Sequence, residues 1–194
     1  MSNTASVRVS PDVIFSRNFI NAETCGKMNE WVDEGIKNKW LDCGISRGSG
    51  WEYKKRITTR NYGHRFDYPT VTYEVFDKIT AKLGLQTTQK SIVGGGKNGV
   101  VVSCTFPGGD VYAHTDPMEG TNLHVLRCNI MTRSADSGGE LFIGGKPIDI
   151  GVGDLHCYLA SDNEHYVQVV NGNTSRVLWM FGYSVTKELF DKLI

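Results

Sequence analysis

The chain has 194 residues, 40% of them hydrophobic, and its 21 basic and 21 acidic side chains leave a formal net charge of zero. That length and composition fit one compact domain able to bury a sizeable core, and the charge balance excludes a global field drawing the protein onto nucleic acid or an anionic membrane. The cysteines, Cys25, Cys43, Cys104, Cys128 and Cys157, are odd in number and form no C-x-x-C pair, which argues against a disulfide framework or zinc ribbon and for a reducing compartment.

Met1 to Ser6 lacks a basic n-region and an apolar h-region, and no window holds the roughly eighteen apolar residues of a membrane span. The expectation is a soluble, cytoplasmic protein without membrane contact. Asp12 to Ile20 reads as a strand running into Asn21, a helix N-cap. Cys25, Met28, Trp31, Val32, Ile36 and Trp40 then recur at helical spacing, predicting an amphipathic helix that backs a sheet. Glycines 44, 48 and 50 mark a loop over Asp42 to Gly50, long enough to move.

From Trp51 to Tyr68 the chain interleaves Lys54, Lys55, Arg56, Arg60 and Arg65 with Trp51, Tyr53, Tyr62, Phe66 and Tyr68; with Arg47, six cations meet two carboxylates, Glu52 and Asp67. Two readings stand. One is a solvated strand and loop whose long side chains cover aromatic edges; the other is a rim for an anionic or aromatic substrate, including a nucleotide or single strand. Pro69 and Thr70 open a second predicted helix, with Val71, Val75, Phe76, Ile79 and Leu83 on one face and Gly84 as its stop.

Beyond Lys90 the pattern changes to short apolar runs between turn residues: Ile92-Val93, Val100 to Phe106, Leu123 to Met131, Leu141 to Ile143, Leu155 to Leu159, Tyr166 to Val170 and Val177 to Tyr183. This is the pattern of a β-sandwich or barrel, followed by a closing helix over Lys187 to Leu193. The expected architecture is mainly β with flanking helices (α+β). It forms a single domain, 1–194, in which residues 1–89 supply helical support and the rim segment and residues 90–185 the β core.

Within that core, His114 and Asp116 stand two apart at a strand end, a spacing that turns both side chains to one side. His165 heads a later strand, and Arg176 follows it by 11 residues at the head of the last strand. Two imidazoles and one carboxylate leave coordination positions open for a non-haem Fe(II). Other motifs carry less. Gly94 to Gly99 satisfies G-x-G-x-x-G but is followed by the strand Val100 to Ser103, so it lacks the helix N-terminus of a phosphate cradle and reads as a hairpin turn. His124 and His156 sit inside apolar runs and read as structural; His64 reads as rim or solvent-facing. Cys128 and Cys157 read as small core residues.

Together, His114-x-Asp116, His165 and Arg176 resemble the Fe(II)- and 2-oxoglutarate-dependent dioxygenases, particularly the small prolyl-4-hydroxylase-like branch of bacteria and phages. Phe106-Pro107-Gly108-Gly109, Ser137 to Leu141 and Gly151 to Leu155 add local matches, and the likeness is strongest from about Ser103 to Tyr183. It implies a double-stranded β-helix, a distorted jelly roll, with iron held by His114, Asp116 and His165 at its open end. It also implies 2-oxoglutarate anchored by Arg176 and O2 at the remaining position. Asp116 in the carboxylate slot implies hydroxylation, where halogenating relatives carry a small residue. Relatives often place a tyrosine before H-x-D where this chain has Phe106; Tyr112 is the expected substitute, and Arg127 and Asn129, sharing one strand face, are expected to line the co-substrate pocket. The implied reaction hydroxylates an unactivated C–H, with a prolyl or other peptidyl side chain as leading substrate, in a bacterial or phage-infected cell. A nucleotide or nucleic-acid oxygenase on the same scaffold, and a non-enzymatic jelly-roll binding module, are the alternatives.

Overall fold

Asn21 starts the first helix as its residue type predicts: its side chain accepts a hydrogen bond from the Thr24 backbone N–H at 2.9 Å. In this computed structural model, which describes residues 7–10, 12–41, 56–59, 67–86, 99–118 and 121–193, helix α1 runs Ala22–Lys37 and buries Cys25, Met28 and Val32. It stops short of Trp40 because Lys39 takes a left-handed φ of 60°, which a continuing helix does not allow. Helix α2 spans Thr70–Lys82 and buries Thr72, Val75, Phe76, Ile79 and Thr80; Gly84, at φ +64°, ends it.

The remaining elements are strands β1 (Val7–Ser10), β2 (Val13–Ser16), β3 (Arg56–Thr58), β4 (Gly99–Thr105), β5 (Val111–His114), β6 (His124–Arg133), β7 (Ser137–Gly138), β8 (Leu141–Ile143), β9 (Lys146–Ile148), β10 (Leu155–Leu159), β11 (His165–Val167), β12 (Val170–Asn171) and β13 (Arg176–Val185), then helix α3 (Lys187–Lys192). They form a seven-stranded sheet in the order β1-β2-β10-β6-β13-β4-β3, a four-stranded sheet β5-β11-β8-β9 and the pair β12-β7. Every pairing is antiparallel. The first strand is shorter than expected, and Tyr166 to Val170 divides between β11 and β12. The N-terminal half does more than support: β1, β2 and β3 complete both edges of the large sheet.

Alternation along these strands separates two interiors. Ile14, Leu126, Cys128, Ile130, Leu155, Cys157, Val177, Trp179, Phe181, Val100 and Val102 turn toward α1 and α2 and form the main core with Met28, Val32, Phe76 and Ile79. Between the two sheets lies a smaller cluster of Val13, Val111, Leu141, Ile143, Tyr158, Ala160 and Val167. Tyr68, the last residue of the segment read as either solvated loop or rim, packs against the main core: it meets Trp31 and Trp179, and its hydroxyl donates to Thr59 Oγ1 at 2.9 Å.

Two polar pins hold the helical layer in register. A β-bulge in β6 opposite Val177 and Leu178 accompanies a reciprocal pair, Thr132 Oγ1 donating to Asn29 Oδ1 at 2.7 Å and Asn29 Nδ2 to the Thr132 carbonyl at 2.9 Å. Asp154 accepts from Arg17 Nη1 at 2.7 Å, the Asn18 N–H at 2.8 Å and the Gly151 N–H at 2.7 Å. Beside it Gly153, at φ +84°, has no room for a side chain, since a Cβ there would lie 2.4 Å from the Ile20 carbonyl oxygen. The expected loop 42–50 with Cys43, most of the basic aromatic segment (51–55 and 60–66, including His64), Ile92-Val93 and turn residues 94–98 lie outside the described residues.

Candidate metal centre and pocket

His114 ends β5 and His165 begins β11, and the two are paired directly across the four-stranded sheet, with ring centroids 4.3 Å apart. Asp116 lies just beyond β5, fixed by its backbone N–H donating to the Ala160 carbonyl at 2.8 Å. One ligand atom from each of His114, Asp116 and His165 lies within 4.8 Å of the others, and His114 Nε2 is 3.9 Å from Asp116 Oδ1. His114 and Asp116 were picked out by their spacing and His165 as the head of a later strand, and the fold brings the three together.

Each donor is oriented from behind. His114 Nδ1 faces the Tyr112 carbonyl at 2.9 Å and His165 Nδ1 the Asn163 carbonyl at 3.0 Å. Because a carbonyl only accepts, each Nδ1 carries the proton and each Nε2 presents its lone pair to the cluster. Burial holds the His165 pKa down at about 4, so its imidazole is neutral near pH 7. Arg127 grips the third donor, with Nε 2.9 Å and Nη2 2.8 Å from Asp116 Oδ2. Oδ1 is left on the side of the histidines. Arg127 and Asp116 are 2% and 6% exposed, so each charge depends on the other.

The cluster opens into a pocket lined by Arg56, Thr58, Ser103, Val111, Leu141, Asn129, Tyr158, Leu178, Met180 and Arg176, among others. Arg176 is fully inside, and burial, then the nearby Arg56, lowers its pKa to about 10. Its Nη2 is buried without a hydrogen-bond partner, an arrangement that calls for an acceptor from outside the chain. Gly139, at φ +74°, packs against the Arg176 stem: a Cβ there would sit 3.2 Å from Arg176 Cδ. Asn129 reaches both the Tyr158 hydroxyl and His156 Nε2, at 3.3 Å. His156 is fully buried, and desolvation holds its pKa down at about 3.

Arg127 and Asn129 line the pocket as expected, and the Arg127 guanidinium also holds Asp116. One expectation changes: Tyr112 is not among the residues lining it. Between the pairs His114–His165 and Val111–Val167, Tyr112 and Ala113 of β5 face the single Tyr166 of β11; this bulge resets the alternation and puts Val111 with His114 on the pocket side. Tyr112 lines a separate outer cleft with Ser137, Glu140 and Gln168, its ring 4.9 Å from that of His114. Two tyrosines do line the pocket, Tyr166 and, with its hydroxyl pKa raised by burial, Tyr158. The sequence reading missed Tyr158 because it lies in the apolar run Leu155 to Leu159; strict alternation from His156 was the available signal. Arg56 was counted in the basic segment without being placed in the pocket.

No family model and no curated protein matches this chain. Among solved structures it is similar to a viral collagen prolyl hydroxylase from Paramecium bursaria Chlorella virus 1, solved with 2-oxoglutarate, at TM-score 0.55 and 16% identity over 89% of this chain and 94% of the other. A Trichoplax adhaerens prolyl hydroxylase in complex with a hypoxia-inducible-factor peptide gives TM-score 0.64 and 12% identity over 93% and 86%. A Pseudomonas putida prolyl-4-hydroxylase gives 0.59 and 13% over 91% and 93%. The chain therefore has the double-stranded β-helix fold of prolyl 4-hydroxylases, with a His-Asp-His cluster in place.

Proposed function

We propose that this protein is an Fe(II)- and 2-oxoglutarate-dependent dioxygenase that hydroxylates an unactivated C–H bond. The observation that carries this reading is the cluster of His114, Asp116 and His165 at one end of a pocket that also holds the buried, unsatisfied guanidinium of Arg176. The donor set fits the metal: two neutral imidazole nitrogens and one carboxylate oxygen are the facial set of non-haem Fe(II), and they leave open positions. The pocket fits the co-substrate, because a permanently charged, planar guanidinium meets a carboxylate bidentately. When bound, iron, 2-oxoglutarate and O2 supply the oxidation, converting the substrate C–H to C–OH and 2-oxoglutarate to succinate and CO2.

The chain's own residues do the holding. His114 and His165 would donate through Nε2, with Nδ1 tied to backbone carbonyls, and Arg127 holds Asp116 Oδ2 so that Oδ1 on the histidine side would be the third donor. Arg176 anchors the distal carboxylate, while Asn129 and Tyr158 give the pocket wall a polar face. Val111, Leu141, Leu178 and Met180 exclude water around the reacting centre. The supporting relatives are prolyl hydroxylases, one of them solved with a peptide, which favours a prolyl or other peptidyl side chain as substrate. We read residues 1–194 as one such domain working in the cytoplasm; among the described residues no helix is long and apolar enough to cross a membrane.

The test is an anaerobic titration of metal-free protein with Fe(II) and then 2-oxoglutarate, followed by the visible charge-transfer band of the chelate. The expected result is a band in the wild type and none in His165→Ala. A folded wild-type protein without the band overturns the reading and leaves a jelly-roll binding module. Substrate assays then begin with proline-containing peptides, with nucleotides as the comparison.

A further inference from the structure

Arg56, Thr105 and Arg176 form one row across three adjacent strands. Thr105 of β4 is the direct partner of Arg56 on β3 and of Arg176 on β13. Directly opposed residues of antiparallel strands point to the same face, and both arginines line the pocket. Their backbones stand two strand spacings apart, ~10 Å. From that separation two long side chains can close on one small anion, each through charge-assisted bonds of ~2.8 Å. Arg56 is aimed by its neighbour in the next row, its Nε donating to Ser103 Oγ at 2.6 Å. Between the arginines, the buried Thr105 hydroxyl has no hydrogen-bond partner, and neither has Arg176 Nη2.

The charges point the same way. Among the described residues lining the pocket, three arginines meet a single carboxylate, that of Asp116, and Arg127 already holds it. Arg56 and Arg176 repel each other, and that repulsion contributes to the lowered pKa of Arg176. An anion between them relieves the repulsion and satisfies the donors.

We propose that Arg56 is a second anchor for the distal carboxylate of the oxo-acid co-substrate, closing on it opposite Arg176 with the Thr105 hydroxyl between. The inference rests on the dioxygenase reading and deepens it: the pocket selects a dianionic oxo acid with two guanidinium groups supplied from opposite ends of the chain. Arg56 acts here as a binding residue and takes no part in metal ligation.

The experiment is calorimetric titration of Mn(II)-loaded protein with 2-oxoglutarate and with 2-oxobutyrate, which lacks the distal carboxylate. The expected results are wild-type preference for 2-oxoglutarate, a ~10- to 100-fold weakening of 2-oxoglutarate binding in Arg56→Gln with 2-oxobutyrate unchanged, and a smaller loss in Arg56→Lys, as expected when a fork of donors becomes a point charge. Thr105→Val, nearly isosteric, weakens 2-oxoglutarate severalfold. Unchanged 2-oxoglutarate affinity in Arg56→Gln overturns the proposal. So does an equal loss for both acids, which marks Arg56 as a structural residue. Wild-type protein that takes up Mn(II) but binds neither acid instead overturns the dioxygenase reading itself.

Discussion

On the helix-facing side of the seven-stranded sheet stand Val102, Cys128, Leu155, Trp179 and Phe181, each 1% exposed or less. Their immediate neighbours along the same strands, Ser103, Arg127, His156, Leu178 and Met180, face the other interior. Apart from the half-buried Met180, both sides are buried, so burial alone does not tell them apart. The difference lies in what each side gives up. The helix side gains from every apolar group withdrawn from water, at about 25 cal/mol per Å². The pocket side holds charges and unsatisfied donors that destabilise the ligand-free protein, a cost offset by the first side. One sheet thus divides stability and binding between alternate residues of the same strands.

Substitutions on the two sides should separate these roles. The largest effect is expected in the core: Phe181→Ala removes a ring stacked on Phe76, 5.7 Å away, and should cost ~3–5 kcal/mol in denaturant unfolding. The metal affinity of the fraction that stays folded should not change. Loss of metal binding ahead of unfolding would show that the two faces are not independent. Arg127→Gln reverses the pattern. Metal affinity should fall ~10- to 100-fold, and stability by ~3 kcal/mol, because Asp116 is left buried without its counter-charge. Adding Asp116→Asn should recover part of the stability but not the metal, which a double-mutant cycle would measure.

A pH titration of stability sharpens the comparison further. His156 is held at about 3 and His165 at about 4, both below the ordinary histidine value of about 6.5. Between those values the unfolded chain binds protons that the folded chain does not. The stabilising contribution is therefore complete above pH ~6.5 and is lost as pH falls toward 3, by about 1 kcal/mol per pH unit for each group. His156→Asn should flatten the unfolding midpoint across this window, leaving the His165 share; an unchanged slope would show that His156 already titrates normally. The smallest effect is at the helix start, where Asn21→Ala should cost ~1 kcal/mol, with no change in metal binding.

Much of this was legible because it is local. Asn21 caps the helix it precedes, and Gly84 ends α2, since both roles depend on backbone geometry within one turn. Val75, Phe76 and Ile79 betray their face by period. His114, Asp116, His165 and Arg176 could be picked out because chemically expensive residue types stand at strand ends in a recognisable order. Other features were hidden for an equally physical reason. Tyr112 was placed by simple alternation, and a bulge in β5, which depends on pairing with β11, turned it away from the pocket. Tyr158 was lost in an apolar run because a buried strand of a double layer is nonpolar on both sides except where a site intervenes.

The sequence by itself determined the period of each segment, where the helices begin and end, and which side chains can ligate or carry charge, because these follow from side-chain chemistry and neighbours along the chain. Only the tertiary structure decided that Arg127 serves Asp116, that Tyr158 rather than Tyr112 enters the pocket, and that Arg56 stands across Thr105 from Arg176. Those outcomes depend on strand order, register and one bulge. They are set by long-range pairings such as those of β3 and β13 with opposite edges of β4, which no local pattern records.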